Sequence, residues 1–134
     1  MKQKWSVKWV ASKQVRKQRK YRHNAPFHAR HDFLSAHLSK NLRKQYERRS
    51  FPVRKGDEVE IMRGKFKGFK GNVEKIDMKY VKVYVEGVKV KKTDGREVTV
   101  ALEPSNLRII RFNLSDKKRQ KSLQKGKKIK ECVF

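Results

Sequence analysis

Apolar and polar positions alternate through the middle of the chain. Val59 and Ile61 alternate with Glu58 and Glu60, and Val81, Val83 and Val85 alternate with Lys82 and Tyr84. Gly87 interrupts, Val88 and Val90 resume, and Val98, Val100 and Leu102 repeat the pattern after an Asp94-Gly95 dipeptide. A period of two places every second side chain on one face of a sheet, and Asp-Gly between two such runs predicts a hairpin. Val73 and Ile76 fall out of phase, which predicts a bulge near Glu74. Pro104 would interrupt a central ladder, so it predicts a corner before a last strand from Leu107 to Ile110. Five or six short strands joined by tight turns predict an all-β core, a small closed SH3-like barrel.

The flanks follow a helical spacing instead. Ser12 is placed to cap a short helix through about Arg22 with Val15 on its apolar side, and Pro26 stops it. Ser39 is placed to cap a second, Lys40 to about Glu47, whose Leu42 and Tyr46 continue from Leu38 at four-residue spacing. Ser115 followed by Asp116 predicts a third helix, basic throughout and ended by Gly126. The expected organisation is a basic N-terminal extension with short helices over 1–50, a barrel over 51–113, and a basic C-terminal helix and tail over 114–134.

Charge changes the picture from fold to function. The 134 residues carry 38 Lys and Arg against 13 Asp and Glu, a formal net charge of +25, with only 36% apolar residues. Residues 1–50 hold 15 basic and 2 acidic side chains, while 51–115 hold 15 and 9. Self-repulsion at that density opposes compaction, so the extremities are expected to order on a polyanion, and removal of 1–50 to leave the barrel folded. No apolar run exceeds three residues, so no bilayer-crossing segment is expected, and Lys8 and Lys13 break the stretch a secretory signal would need. One cysteine excludes an internal disulfide and predicts a reducing compartment.

Candidate chemistry concentrates between Val53 and Val73. Gly56-Asp57, Gly64, Gly68 and Gly71 punctuate two strand patterns, with Arg63, Lys65, Lys67 and Lys70 between them and Phe66 and Phe69 interleaved. Cations, exposed amides and rings on a tight loop suit a phosphate backbone with unstacked bases beside it. Barrel turns with core phenylalanines and solubilising lysines account for the same residues, and the segment alone does not choose. In the extension, Arg16, Arg19, Arg22, Arg30, Arg43, Arg48 and Arg49 are candidates to bridge phosphates or stack on bases, which guanidinium does better than ammonium.

Residues 52–73, PVRKGDEVEIMRGKFKGFKGNV, resemble the KOW motif, with Gly56, Asp57, Gly64, Lys67, Gly68 and Gly71 at its turn and lysine-glycine step. Upstream, KQRKYRHNAPFHAR (17–30) and SAHLSKNLRKQY (35–46) are similar to the N-terminal extension of the universal large-subunit ribosomal protein twenty-four family, eukaryotic and archaeal form, and EPSNLRII (103–110) to its final strand. The resemblance spans roughly residues 12–120 and departs at Val88-Lys89-Val90-Lys91-Lys92 and at the tail Cys132-Val133-Phe134. It implies an SH3-like barrel on large-subunit ribosomal RNA, near the 5′ domain of that RNA, a part in early subunit assembly, and a place near the nascent-chain exit. By position, it places Lys17, Arg19, Lys20, Asn24, Arg30, Ser39, Lys40 and Arg43 in the blocks that thread across RNA. The implied partners are ribosomal RNA and neighbouring large-subunit proteins, in cytoplasmic ribosomes and, in a eukaryote, with nucleolar assembly. A KOW-containing transcription elongation or RNA-chaperone factor is the alternative.

Other constellations promise less. His23, His28, His31 and His37 match no compact zinc spacing and have no cysteine among them, so neither metal nor cofactor is expected. Cys132 is third from the end, where prenylation needs the fourth, so no lipid anchor is expected, and no homo-oligomer. No nucleotide-binding glycine loop, nucleophile elbow or zincin motif occurs, and Asp57, Glu58 and Glu60 read as ion-pair partners rather than an acid–base pair, so no enzymatic activity is expected. Trp5 and Trp9 suit either base stacking or a protein neighbour.

Overall fold

The computed structural model describes residues 4–131. Helices α1 (Val15–Asn24) and α2 (Phe27–Phe33) lead into strand β1 (Ser35–Leu38), helix α3 (Lys40–Tyr46) and strand β2 (Ser50–Pro52). Strands β3 (Glu58–Ile61), β4 (Lys70–Asp77), β5 (Lys82–Val85), β6 (Lys89–Lys91), β7 (Glu97–Thr99) and β8 (Leu107–Arg111) follow, then helix α4 (Lys117–Glu131). Six strands form one sheet in the order β2-β1-β8-β3-β4-β5, antiparallel except where β1 runs parallel to β8. Val83 and Leu102 exchange backbone hydrogen bonds at 2.9 Å in each direction, which continues the sheet past β5. The result is a small β-barrel-like core with helical extensions.

The alternation did set the buried face. Val59, Ile61, Val73, Val83, Val85, Val88, Leu107 and Ile109 are all buried in one cluster. The register slips between Val73 and Lys75, the bulge expected near Glu74. One expectation fails within the sheet, and one alternation outside it has a different basis. Val81 is no strand residue but sits at φ +54 in the turn before β5, because Asp77 Oδ1 accepts the Lys79 and Tyr80 amides and closes that turn. Val90 and Val98 face one another across a separate β6–β7 hairpin and stay about two-fifths exposed, so their alternation reflects pairing rather than burial.

The compact unit reaches well beyond 51–113. Leu34, Ala36 and Leu38 on β1 and its approach are each 1% exposed within the main cluster, and Leu123 on α4 joins them. β1 supplies apolar side chains at alternate positions and hydrogen-bonding edges to both β2 and β8. That burial offsets the ordering entropy that charge counting assigned to a partner. A cut at residue 50 would take these side chains out of the core, so the barrel is not expected to survive it intact.

Upstream, an aromatic cluster orders the first segment. The Trp5 ring stacks on Tyr21 with centroids 5.5 Å apart and meets His28 edge-on at 6.1 Å, and Tyr21 packs on Phe33 at 5.7 Å. Trp5 is thereby occupied within the chain. Gln18 Nε2 donates to the carbonyls of Trp9, Val10 and Ser12, which ties the short 3-10 turn Val7–Ala11 to α1. Ser12 therefore stands before this junction while Gln14 occupies the cap position of α1, and Pro26 ends the run as expected.

Ser39 caps α3 through a weak 3.4 Å contact from the Leu42 amide, and Leu42 and Tyr46 lie against the core. At α4 the cap is Asp116 rather than Ser115: its Oδ1 accepts the Lys118 amide at 2.8 Å. The Arg54 guanidinium on its other oxygen, together with that amide, holds the Asp116 carboxyl below the usual aspartate range. α4 continues past Gly126, which therefore does not terminate it. Cys132 lies outside the described residues.

Candidate nucleic-acid interface

Asp57, expected at the KOW turn, is a buried hub. Its side chain is 0% exposed, and its carboxylate accepts Arg119 Nη1 at 2.6 Å and Nη2 at 2.5 Å, the Arg54 amide at 2.9 Å and the Asn113 amide at 2.9 Å. Arg119 also donates to the Asn113 and Pro52 carbonyls and lies between the rings of Phe51 and Phe112, at 5.7 and 5.0 Å. This pair ties the turn before β3, the exit of β8 and α4 together. Glu60 pairs with Arg108 at 2.7 Å and Glu58 with Arg111 at 3.8 Å, so all three acids of this stretch serve ion pairs, as expected.

The loop between β3 and β4 carries Arg63, Lys65 and Lys67, and Lys70 opens β4, all of them exposed. Gly64 and Gly68 turn it at φ +92 and +85, with open space where a Cβ would stand. Its amides are less available than expected: Lys67 N bonds Gly64 O, Phe69 N bonds Phe66 O, and Gly68 N bonds Ile61 O. Those three amides are taken by backbone carbonyls and are not free for an anion. The two phenylalanines divide, Phe66 packing on the core and Phe69 remaining 40% exposed over Gly87. Gly71 has another role, since a Cβ on it would lie 2.9 Å from Val85 Cγ1 and 3.0 Å from the Glu86 carbonyl. Gly71→Ala is expected to cost about 2–3 kcal/mol by overpacking, against about 1 kcal/mol for Gly64→Ala, in urea denaturation. Gly56, at φ +83, makes the turn that presents Asp57.

Helix α1 presents Arg16, Lys17, Arg19, Lys20 and Arg22 to solvent around its single buried residue, Tyr21. Arg16, Arg19, Lys20 and His23 line one shallow hollow with Val15. On α3 and the turn after it, Arg43, Arg48 and Arg49 line a second with Lys44 and Glu47, while Lys40 stands exposed at the helix start. Several expected site residues have work inside the protein. Arg30 donates to the carbonyls of Ala25, Lys79 and His23 at 2.8, 2.6 and 2.6 Å, and Arg43 Nε to Leu38 O at 2.9 Å. Asn24 donates to Lys4 O, Ser39 is the cap of α3, and Arg48 lies over the Phe51 ring. The histidines scatter: His23 contacts Asn24, His28 the Trp5 ring and His31 Asp32, and His37 lies in β1.

Among the described residues, the Lys and Arg ion pairs use Arg54, Lys82, Lys89, Arg96, Arg108, Arg111 and Arg119, none of them an expected RNA-binding residue. The acids of the core are thus spent on cations of the strands and α4. The cations of α1 and of the β3–β4 loop enter none of these pairs and face water. Arg119 as the partner of Asp57 was not legible in the sequence, since nothing local marks a pairing across that separation.

Residues 12–126 match the family model that describes the ribosomal proteins called L26 in eukaryotes and their archaeal L24 counterparts. The chain is 47% identical over 114 residues to the large ribosomal subunit protein uL24 of Methanosphaera stadtmanae, an alignment covering 85% of this chain and 97% of that protein.

Proposed function

The chain belongs to the family of eukaryotic L26 and archaeal L24 ribosomal proteins, and from that premise we propose that it is a structural constituent of the large ribosomal subunit that binds ribosomal RNA and supports subunit assembly. The observation that carries the reading is the division of charge: the acids around β3 pair with cations of β8 and α4, while the cations of α1 and the β3–β4 loop stand exposed outside the Lys and Arg ion pairs of the described residues. Cations in that state lower the repulsion between RNA helices that must approach one another, and they bind phosphate by releasing counterions. Binding energy then serves as structure, with no reaction to catalyse.

An early role in assembly and a place near the nascent-chain exit, in cytoplasmic ribosomes, rest on the family likeness. The protein should co-sediment with the large subunit through a high-salt wash. Release from the subunit at moderate salt would instead favour a transient RNA-binding factor.

A further inference from the structure

A cleft of about 590 Å³ opens between the α1–α2 segment and the β4–β5 turn, lined by Arg22, His23, Arg30, Phe33, Lys79 and Tyr80, with Val81 and Glu103 completing its wall. Its size is that of a small-molecule site. Tyr80 is 65% exposed, and Lys79 Nζ stands 5.3 Å from its centroid. The ring is held out by a strained turn. Val81 is a β-branched residue at φ +54, a conformation such side chains avoid and that costs on the order of 1–3 kcal/mol.

Three contacts hold that turn in place. Asp77 Oδ1 accepts the Lys79 and Tyr80 amides, and Arg30 Nη1 donates to the Lys79 carbonyl from across the cleft. Arg30 is fixed in turn by the Ala25 and His23 carbonyls, and Phe33 by the Tyr21 ring. Glu103, the acid of the wall, is tied to Lys82. Both walls are thus tied by hydrogen bonds, an ion pair and ring packing, and the lining includes the Tyr80 ring together with the cations of Arg22 and Lys79.

On the reading that the chain binds ribosomal RNA, we propose that this cleft receives a single unpaired nucleotide of that RNA, its base stacked on Tyr80 and its phosphate met by Arg22 and Lys79. A base has a π-face whatever its identity, and an immobilised ring loses little entropy in meeting it. The strain at Val81 then has a use: it presents the ring before the RNA arrives, so the stacking energy is not spent on ordering the turn.

The test uses the full chain and large-subunit RNA in filter binding over a salt series, with ultraviolet crosslinking read by mass spectrometry. Tyr80→Ala is expected to weaken binding by about tenfold. The log–log salt slope should not change, because stacking releases no counterions. Tyr80→Phe should bind like the wild type, and wild-type Tyr80 should carry a nucleotide adduct. Equal melting temperatures would show that the exposed side chain is not needed for folding. Wild-type affinity in Tyr80→Ala with no adduct would overturn the proposal and leave the cleft to a protein neighbour, and a flattened slope would overturn the stacking role, since Tyr80 would then act through phosphate contacts. Saturation of the cleft by a free mononucleotide at micromolar concentration would overturn the assignment to RNA. Failure of the wild-type chain to bind the RNA would instead defeat the reading on which the proposal rests.

Discussion

Asp57→Ala is expected to destabilise the protein by about 3–5 kcal/mol in urea denaturation, the range for removing one partner of a buried ion pair. The substitution leaves the Arg119 guanidinium, 1% exposed, without its carboxylate. It also strips the Arg54 and Asn113 amides of their acceptor. Arg119→Met should cost less, because Asp57 keeps both backbone donors and the thioether chain can still pack between Phe51 and Phe112. The double variant should be less damaged than the sum of the two, by about 1–3 kcal/mol of coupling. Since domains of this size hold about 5–15 kcal/mol in all, Asp57→Ala should sit near the edge of folding. A loss below about 1 kcal/mol would show that the pair does not bind the turn, β8 and α4 into one unit.

That hub marks the limit of what the chain declares locally. Period-two patterning located β3, β5 and the β6–β7 hairpin, and the Pro104 corner located β8, because alternation, an Asp-Gly turn and a proline are local signals with a direct geometric meaning. The same logic misplaced Val81, where side-chain capping by Asp77 outweighed strand propensity. It also missed β1 and β2, whose apolar positions are too few to stand out among cations and whose burial depends on β8, about seventy residues away. The expected RNA-binding residues were legible as a charge run. Their division was not: Arg30 and Arg43 turn inward to backbone carbonyls while Arg16, Lys17, Arg19 and Lys20 face water. Side-chain hydrogen bonds to carbonyls of other segments leave no trace in spacing or composition.

Because the inward cations hold the fold and the outward ones do not, the electrostatic role of the extension can be tested without cutting it. Replacing Arg16, Lys17, Arg19 and Lys20 together by Gln keeps four residues of similar helix propensity on the exposed faces of α1 and leaves Tyr21 in its aromatic cluster. If each meets one phosphate, the log–log salt slope should flatten by about 3, at roughly 0.7–0.9 per contact, and affinity at low salt should fall on the order of a hundredfold or more. Melting should be nearly unchanged, in contrast to a deletion of residues 1–50, which removes Leu34, Ala36 and Leu38 from the core. The matched control neutralises Lys89, Lys91, Lys92 and Arg96 on the β6–β7 hairpin, removing the same formal charge elsewhere. Equal flattening by both variants would mean that RNA reads net charge alone. A larger effect from α1 means that the fold, by pairing its acids with cations other than those of α1, has aimed its cations.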